Sequence, residues 1–255
     1  MNTVALVTGA GKGIGEAVAL ALAADGLRVA VAARTAADVE RVAEAIRARG
    51  GTALAVTCDV TQPPAIAHMV ETVRQTLGPI AVLVNNAGAA QSHKFLNHDD
   101  LLWQSMLDVN LNSVYYVTKA VLPMMLEARW GRIINLASIA SKVGHKYMAA
   151  YTAAKHGVLG LTRALATELA QTGITVNAVC PGYVDTPLTD AAIANITART
   201  KLSEAEARAT LEKVSPQNRF VTVEEVAHVV RLLAAEDARG LTGQAINIDG
   251  GTVMF

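Results

Sequence analysis

The chain has 255 residues, 52% of them hydrophobic and 17% charged, and its 22 basic and 22 acidic side chains leave a formal net charge of zero. That balance gives no electrostatic footprint for nucleic acid or an anionic membrane surface. No uninterrupted apolar run approaches the ~18 residues of a membrane span, and the length suits one sizeable α/β domain rather than two.

In chain order, residues 3–8 (TVALVT) are apolar and β-branched, as expected of a strand buried on both faces. They run into a glycine-rich turn, Gly9, Gly11, Lys12, Gly13, Ile14 and Gly15, and then into a helix-forming stretch over 13–25. Glycines permit the sharp strand-to-helix turn and close backbone approach to a pyrophosphate, and the helix N-terminus offers free N–H groups to the anion. This order of strand, glycines and helix predicts a dinucleotide site. The second expected strand, 28–33, ends in Ala33, Arg34 and Thr35, with no carboxylate to bond a ribose 2′-hydroxyl. Arg34 and Lys12 would instead meet a 2′-phosphate, which favours NADP(H) over NAD(H).

Further strands are expected at 52–57, 80–85, 131–137, 174–180 and 244–248, and further helices at 36–49, 62–77, 99–127, 150–171 and 222–235. The alternation predicts a single-domain Rossmann fold spanning 1–255, a seven-stranded parallel sheet with helices on both faces. Residues 187–219 interrupt the pattern and include the helix-like run 202–213, which reads as a helical lid over a substrate. Cys58 and Cys180 stand at the ends of expected strands as buried unpaired thiols, and the six histidines lack metal spacing. A reducing cytoplasm, no metal and no leader before the first strand are the expectations that follow.

Ser138, Tyr151 and Lys155 form the pattern with most chemical content. Positions i and i+4 share a helix face, so Lys155 lies one turn from Tyr151, where a positive charge lowers a phenol's pKa. Spacing alone is weak: Tyr115 and Lys119 repeat it on another expected helix, with Leu102 in place of the serine.

Together the segment from Thr8 to Gly15, Asn85-Asn86-Ala87-Gly88, Asn110, Ser138, Tyr151, Lys155 and Pro181-Gly182 resemble the short-chain dehydrogenase/reductase family over essentially the whole chain. The resemblance implies that Tyr151 exchanges the proton of a carbonyl that receives hydride, that Ser138 orients the carbonyl oxygen, and that Lys155 lowers the tyrosine pKa and bonds the nicotinamide ribose. It implies that Asn110 kinks its helix and holds a water on the lysine. It further implies cofactor contacts from Asp59 and Val60 to the adenine, from Val184, and from Thr186 to the carboxamide, together with a homotetramer.

Within the family, the PGYVDTP segment (181–187) and Phe220-Val-Thr222 resemble 3-hydroxybutyrate dehydrogenases, while TGITVNAVC (172–180) resembles polyketide ketoreductases and 3-oxoacyl carrier-protein reductases. Ala90, Ala140 and Met148 stand where the former would need groups to neutralise a carboxylate, and with Tyr183 they suggest an apolar pocket. His145, Tyr147, Gln91 and His93 are candidate rim groups. The expected activity is NADP(H)-dependent reduction of a hydrophobic 3-oxoacyl thioester or a cyclic or aryl ketone; the alternative is an NAD-dependent dehydrogenase of hydroxyacyl-CoA or cyclic alcohols. A non-catalytic nucleotide-sensing module on the same fold would predict a damaged Ser–Tyr–Lys set, which is intact here. Carrier-protein delivery would rely on Arg129, with Thr172 in place of a second cation.

Overall fold

The computed structural model describes residues 3–255. Its single sheet comprises β1 (Val4–Thr8), β2 (Arg28–Ala33), β3 (Ala53–Thr57), β4 (Ile80–Asn85), β5 (Gly131–Leu136), β6 (Ile174–Pro181) and β7 (Ala245–Ile248). All pairings are parallel, in the order β3-β2-β1-β4-β5-β6-β7. Each expected strand is present, with ends differing by one residue at most.

β1 shows why this sheet needs cover on both faces. Ala5 and Val7 point into one apolar core and Val4 and Leu6 into the other, because successive side chains alternate across a strand. The first core is closed by α1 (Gly13–Ala24), α2 (Ala36–Ala48) and α9 (Val223–Ala234). The second lies under α3 (Pro63–Thr76), α5 (Ser113–Ala128) and α6 (Ala149–Glu168). On α9 the buried Val226, Val230, Leu233 and Ala234 recur at helical spacing and rest on α1.

The helix expected over 99–127 is interrupted. α4 (Asp100–Leu107) passes into a π-helical turn, Asp108–Asn112, before α5 begins. A π turn takes i→i+5 bonds and dislocates the regular ladder. The side chain of Asn110, fully buried, donates to the Met106 carbonyl at 2.9 Å within that dislocation. Between β6 and α9, residues 187–219 form α7 (Pro187–Arg199) and α8 (Glu204–Glu212), joined to the sheet side by a bridge between Val184 and Val221.

α9 starts at a capping box: Thr222 Oγ1 accepts from Glu225 N at 3.2 Å, and Glu225 accepts from Thr222 N at 2.8 Å. Thr222→Ala removes half of this box and should cost about 1 kcal/mol. The expected result is a thermal midpoint lower by roughly 2–4 °C, measured by circular dichroism against the native chain.

Candidate active site

In a doubly wound sheet ligands gather beyond the carboxyl ends of the strands, at the point where the strand order reverses. Here that point lies between β1 and β4. The glycine turn after β1 is packed directly against the turn after β4. Thr8 Oγ1 accepts from Asn86 N at 3.0 Å and from Ala87 N at 3.2 Å, while Asn86 Nδ2 donates to the carbonyls of Thr8 (2.9 Å) and Gly9 (3.1 Å). The fit leaves no room for side chains. Gly9 is left-handed at φ +64°, and a Cβ there would lie 2.7 Å from Ala87 Cα; one on Gly15 would lie 2.4 Å from the Gly9 carbonyl oxygen.

Lys12 is the N-cap of α1 and forms no side-chain cap, so the first N–H groups of that helix lack side-chain acceptors. A Cβ on Gly13, also left-handed, would lie 3.3 Å from Cγ2 of Thr186, the N-cap of α7. Backbone donors, side-chain-free glycines and a nearby lid helix fit the pyrophosphate of a dinucleotide. The far end of the site is cationic. Arg34 follows β2 close enough to Asp59 to help hold that carboxyl below its ordinary range, after the larger effect of the Thr61 N–H. Asp59 Oδ1 accepts from Thr61 N at 2.9 Å and Thr61 Oγ1 at 2.8 Å, which shapes the turn carrying Val60.

Ser138 follows β5, and Tyr151 and Lys155 lie on the first turns of α6. Lys155 is 5% exposed; its Nζ donates to the Leu136 carbonyl at 2.7 Å and lies 5.7 Å from the Tyr151 ring centroid. Burial drops its pKa from 10.5 to about 8. Burial pushes the Tyr151 phenol upward, and the Ser138 hydroxyl, in hydrogen-bonding position, pulls it back down in part. In the free protein desolvation is the largest influence on the phenol, because a buried phenolate has lost its water, and Ser138 rather than Lys155 is the group that lowers it.

Asn110 reaches the same place from the π turn. Its Nδ2 donates to the Ala89 carbonyl at 2.9 Å and its Oδ1 accepts from Ala89 N at 3.2 Å, so it clamps the loop after β4. A Cβ on Gly88 would sit 2.8 Å from Asn110 Oδ1 and 3.8 Å from Lys155 Nζ. The clamp places Asn110 beside the lysine at the strand end. The competing pair stays outside: Lys119 Nζ donates to Tyr115 OH at 3.1 Å on the exposed side of α5.

The expected pocket residues differ in exposure. Ala140 is buried at 2% in the turn after Ser138, and its N–H donates to Ser138 Oγ at 3.1 Å, so it supports the serine. Met148 caps α6, and Tyr183, half-buried, packs on Phe220 near Tyr151. Ala90 is partly buried and Gln91 exposed. Gly182 lies against Asp249, whose buried carboxylate accepts from Gly251 N at 2.9 Å and Val253 N at 2.8 Å, fixing the turn after Pro181. Sequence reasoning assigned no role to Thr8, Asp249 or the Leu136 carbonyl. Thr8 alone carried a signal, being the residue that opens the glycine motif.

With this geometry, the chain belongs to the short chain dehydrogenase family, whose model matches residues 3–197. It is an oxidoreductase that interconverts alcohol and carbonyl. A crystal structure of a variant actinorhodin polyketide ketoreductase with NADPH superposes with a TM-score of 0.95 at 42% identity, covering 98% of this chain and 97% of that one. The 3-oxoacyl-(acyl-carrier-protein) reductase of Synechocystis sp. is 42% identical over 99% of this chain and 97% of its own length. A D-beta-hydroxybutyrate dehydrogenase of Rhizobium meliloti is 38% identical over 98% of both.

The buried ammonium has a measurable signature. Below pH about 8 Lys155 is charged in both folded and unfolded chains, and the fold carries the whole cost of burying it. Between about 8 and 10.5 the unfolded chain still holds the proton that the folded one has lost, so this cost fades as pH rises. Lys155→Met, compared with the native chain, should therefore gain most stability near neutral pH and lose about 3 kcal/mol of that relative gain by the upper end of the window. Denaturant unfolding of both proteins across the window checks the sign.

Proposed function

We propose that the chain is an NADPH-dependent reductase of hydrophobic 3-oxoacyl thioesters, reversible as an alcohol dehydrogenase, with Tyr151 as its proton donor. The observation that carries this reading is the meeting of Tyr151, Ser138 and Lys155 at the carboxyl end of β5, facing the turn after β4 and its glycine, Gly88.

The glycine turn, Lys12, Ile14, Val60, Asn86, Ala87, Thr186 and Val184 would hold the dinucleotide, with Arg34 and Thr35 at its 2′-phosphate. When bound, NADPH supplies the hydride. Ser138 orients the carbonyl oxygen with its hydroxyl. Tyr151, kept protonated by burial, donates to that oxygen as negative charge develops on it. Lys155, charged at neutral pH, then stabilises the phenolate left behind, and its attraction is strengthened because the ammonium is buried. Burial thus raises the phenol before the transfer, and the ammonium favours it afterwards.

The substrate class follows from what lines the cleft and from the relatives. Ketoreductases and 3-oxoacyl reductases stand among them, and the NADPH in the ketoreductase structure fits the two cations here. A free hydroxy acid finds no counter-charge at Ala90, Ala140 or Met148. Thr172 Oγ1 donates to the Leu169 carbonyl, so of the two docking positions only exposed Arg129 offers an acidic carrier protein a charge. The lid formed by α7 and α8, a homotetramer and a cytoplasmic site complete the reading. No helix among the described residues is long and apolar enough to cross a membrane.

Tyr151→Phe should bind NADPH normally and lose ~10²–10⁴-fold in turnover of a 3-oxoacyl thioester. Near-normal turnover would remove the assignment. Arg34→Ala should weaken NADPH by about 10–100-fold and leave NADH almost unchanged, read by fluorescence titration of each cofactor.

A further inference from the structure

Ser138 opens a short turn, and that turn aims its hydroxyl. Ser138 Oγ accepts from Ala140 N at 3.1 Å, which uses one lone pair and leaves the O–H free to donate. The turn itself, Ile139–Ser141, is a single 3₁₀ turn closed by Ser141 N on the Ser138 carbonyl and Lys142 N on the Ile139 carbonyl, both at 2.9 Å. So short a piece has little rigidity of its own, and its orientation is set by what it is tied to. Ile139 and Ala140 are buried, but apolar contact is non-directional and fixes no angle. Ser141 is buried as well, and its Oγ finds no hydrogen-bond partner among the described residues, so it ties the turn to nothing.

Lys142 supplies the directional tie. It ends the turn, and its Nζ donates to the carbonyls of Ala245 at 3.0 Å and Phe255 at 2.6 Å, 103 and 113 residues further on. β7 is an edge strand, and the Gln244 carbonyl is turned to β6, where it accepts from Ala178 N at 2.8 Å. The Ala245 carbonyl therefore faces the free side, where no ladder partner awaits it. The segment leading to Phe255 is itself fastened to β7 and the turn after it: Asn247 Nδ2 donates to the Val253 carbonyl, and Val253 N donates to Asp249 Oδ2 at 2.8 Å. Both acceptors are thus held in place, and hydrogen bonds from an ammonium are stronger than neutral ones. Lys142 and the serine also meet at a common neighbour. Burial pushes the Cys180 thiol up, and Lys142 and the Ser138 N–H both oppose that push.

We propose that Lys142 is a positioning residue for carbonyl reduction: by strapping the serine turn to β7 and to Phe255, it holds the Ser138 hydroxyl in register with the Tyr151 phenol. The proposal rests on the reductase reading above. In this role Lys142 acts through Ser138.

The test follows single-turnover reduction of a 3-oxoacyl N-acetylcysteamine thioester by NADPH with enzyme in excess, which keeps slow variants measurable. Lys142→Met should slow the step by about 10–100-fold, the scale of a misplacement of about 1 Å at a reacting group, and leave NADPH affinity unchanged. Lys142→Arg should return the rate to within about threefold of native, since a guanidinium also donates to carbonyls. In a Ser138→Ala chain, Lys142→Met should cost less than about twofold, because residues that act as a unit lose their effect only once. A role in stability alone would lower the thermal midpoint and leave the rate of the folded enzyme native. A native rate in Lys142→Met, or an equal loss with and without the serine, overturns the assignment. Should Lys142→Met not fold, the shorter Lys142→Gln takes its place in the same cycle, and failure of both to fold assigns Lys142 to the fold and overturns the proposal. A native protein that binds NADPH but does not reduce the thioester overturns the reductase reading itself, and the positioning role with it.

Discussion

A positive charge that has lost its water organises this molecule. Lys155 keeps its ammonium inside the protein with one hydrogen bond, to the Leu136 carbonyl, and burial lowers its pKa to about 8. It remains charged at neutral pH, but little holds it so. Around it the chain places groups that are short of solvent: a phenol pushed up by burial, a serine that offsets part of that push, and an asparagine folded onto the neighbouring loop. A buried charge is costly unless compensated, and the compensation here is completed only when a negative phenolate forms.

The positions of these groups follow from the sheet. Parallel strands send all their carboxyl ends to one edge, so the turns after β1, β4, β5 and β6 converge there although they are far apart in sequence. Thr8 and Asn86 then lock the first two of those turns together through hydrogen bonds within the protein. The π turn does a similar service on the other side. It rotates Asn110 inward, where a straight helix would carry its neighbours past the site in a different register.

Much of this was legible from residue order. Strands buried on both faces appear as continuous β-branched runs, and the seven runs matched the seven strands because little else in this chain looks like that. The glycine turn was legible because only glycine fits where a Cβ would strike Ala87 or the Gly9 carbonyl. The break in the helix over 99–127 was not: Asn110 is only a moderately poor helix former, and its buried partners come from a loop twenty-one residues away. The ionisation of Tyr151 was not legible for a related reason. A helical spacing gives the distance to a lysine, but the loss of water is set by every element packed around the pair. Likewise the Tyr115–Lys119 repeat has the right spacing and the wrong environment, being exposed on α5.

The most direct measurement is an ultraviolet titration of tyrosine ionisation, native minus Tyr151→Phe, for the free protein and for the protein saturated with NADP⁺. The account predicts a difference signal from a phenol that ionises above the ordinary tyrosine range when free, and at distinctly lower pH once the positively charged nicotinamide joins Lys155 beside it. A phenol that already ionises below the ordinary range in the free protein, or one whose titration is the same in both states, would contradict it.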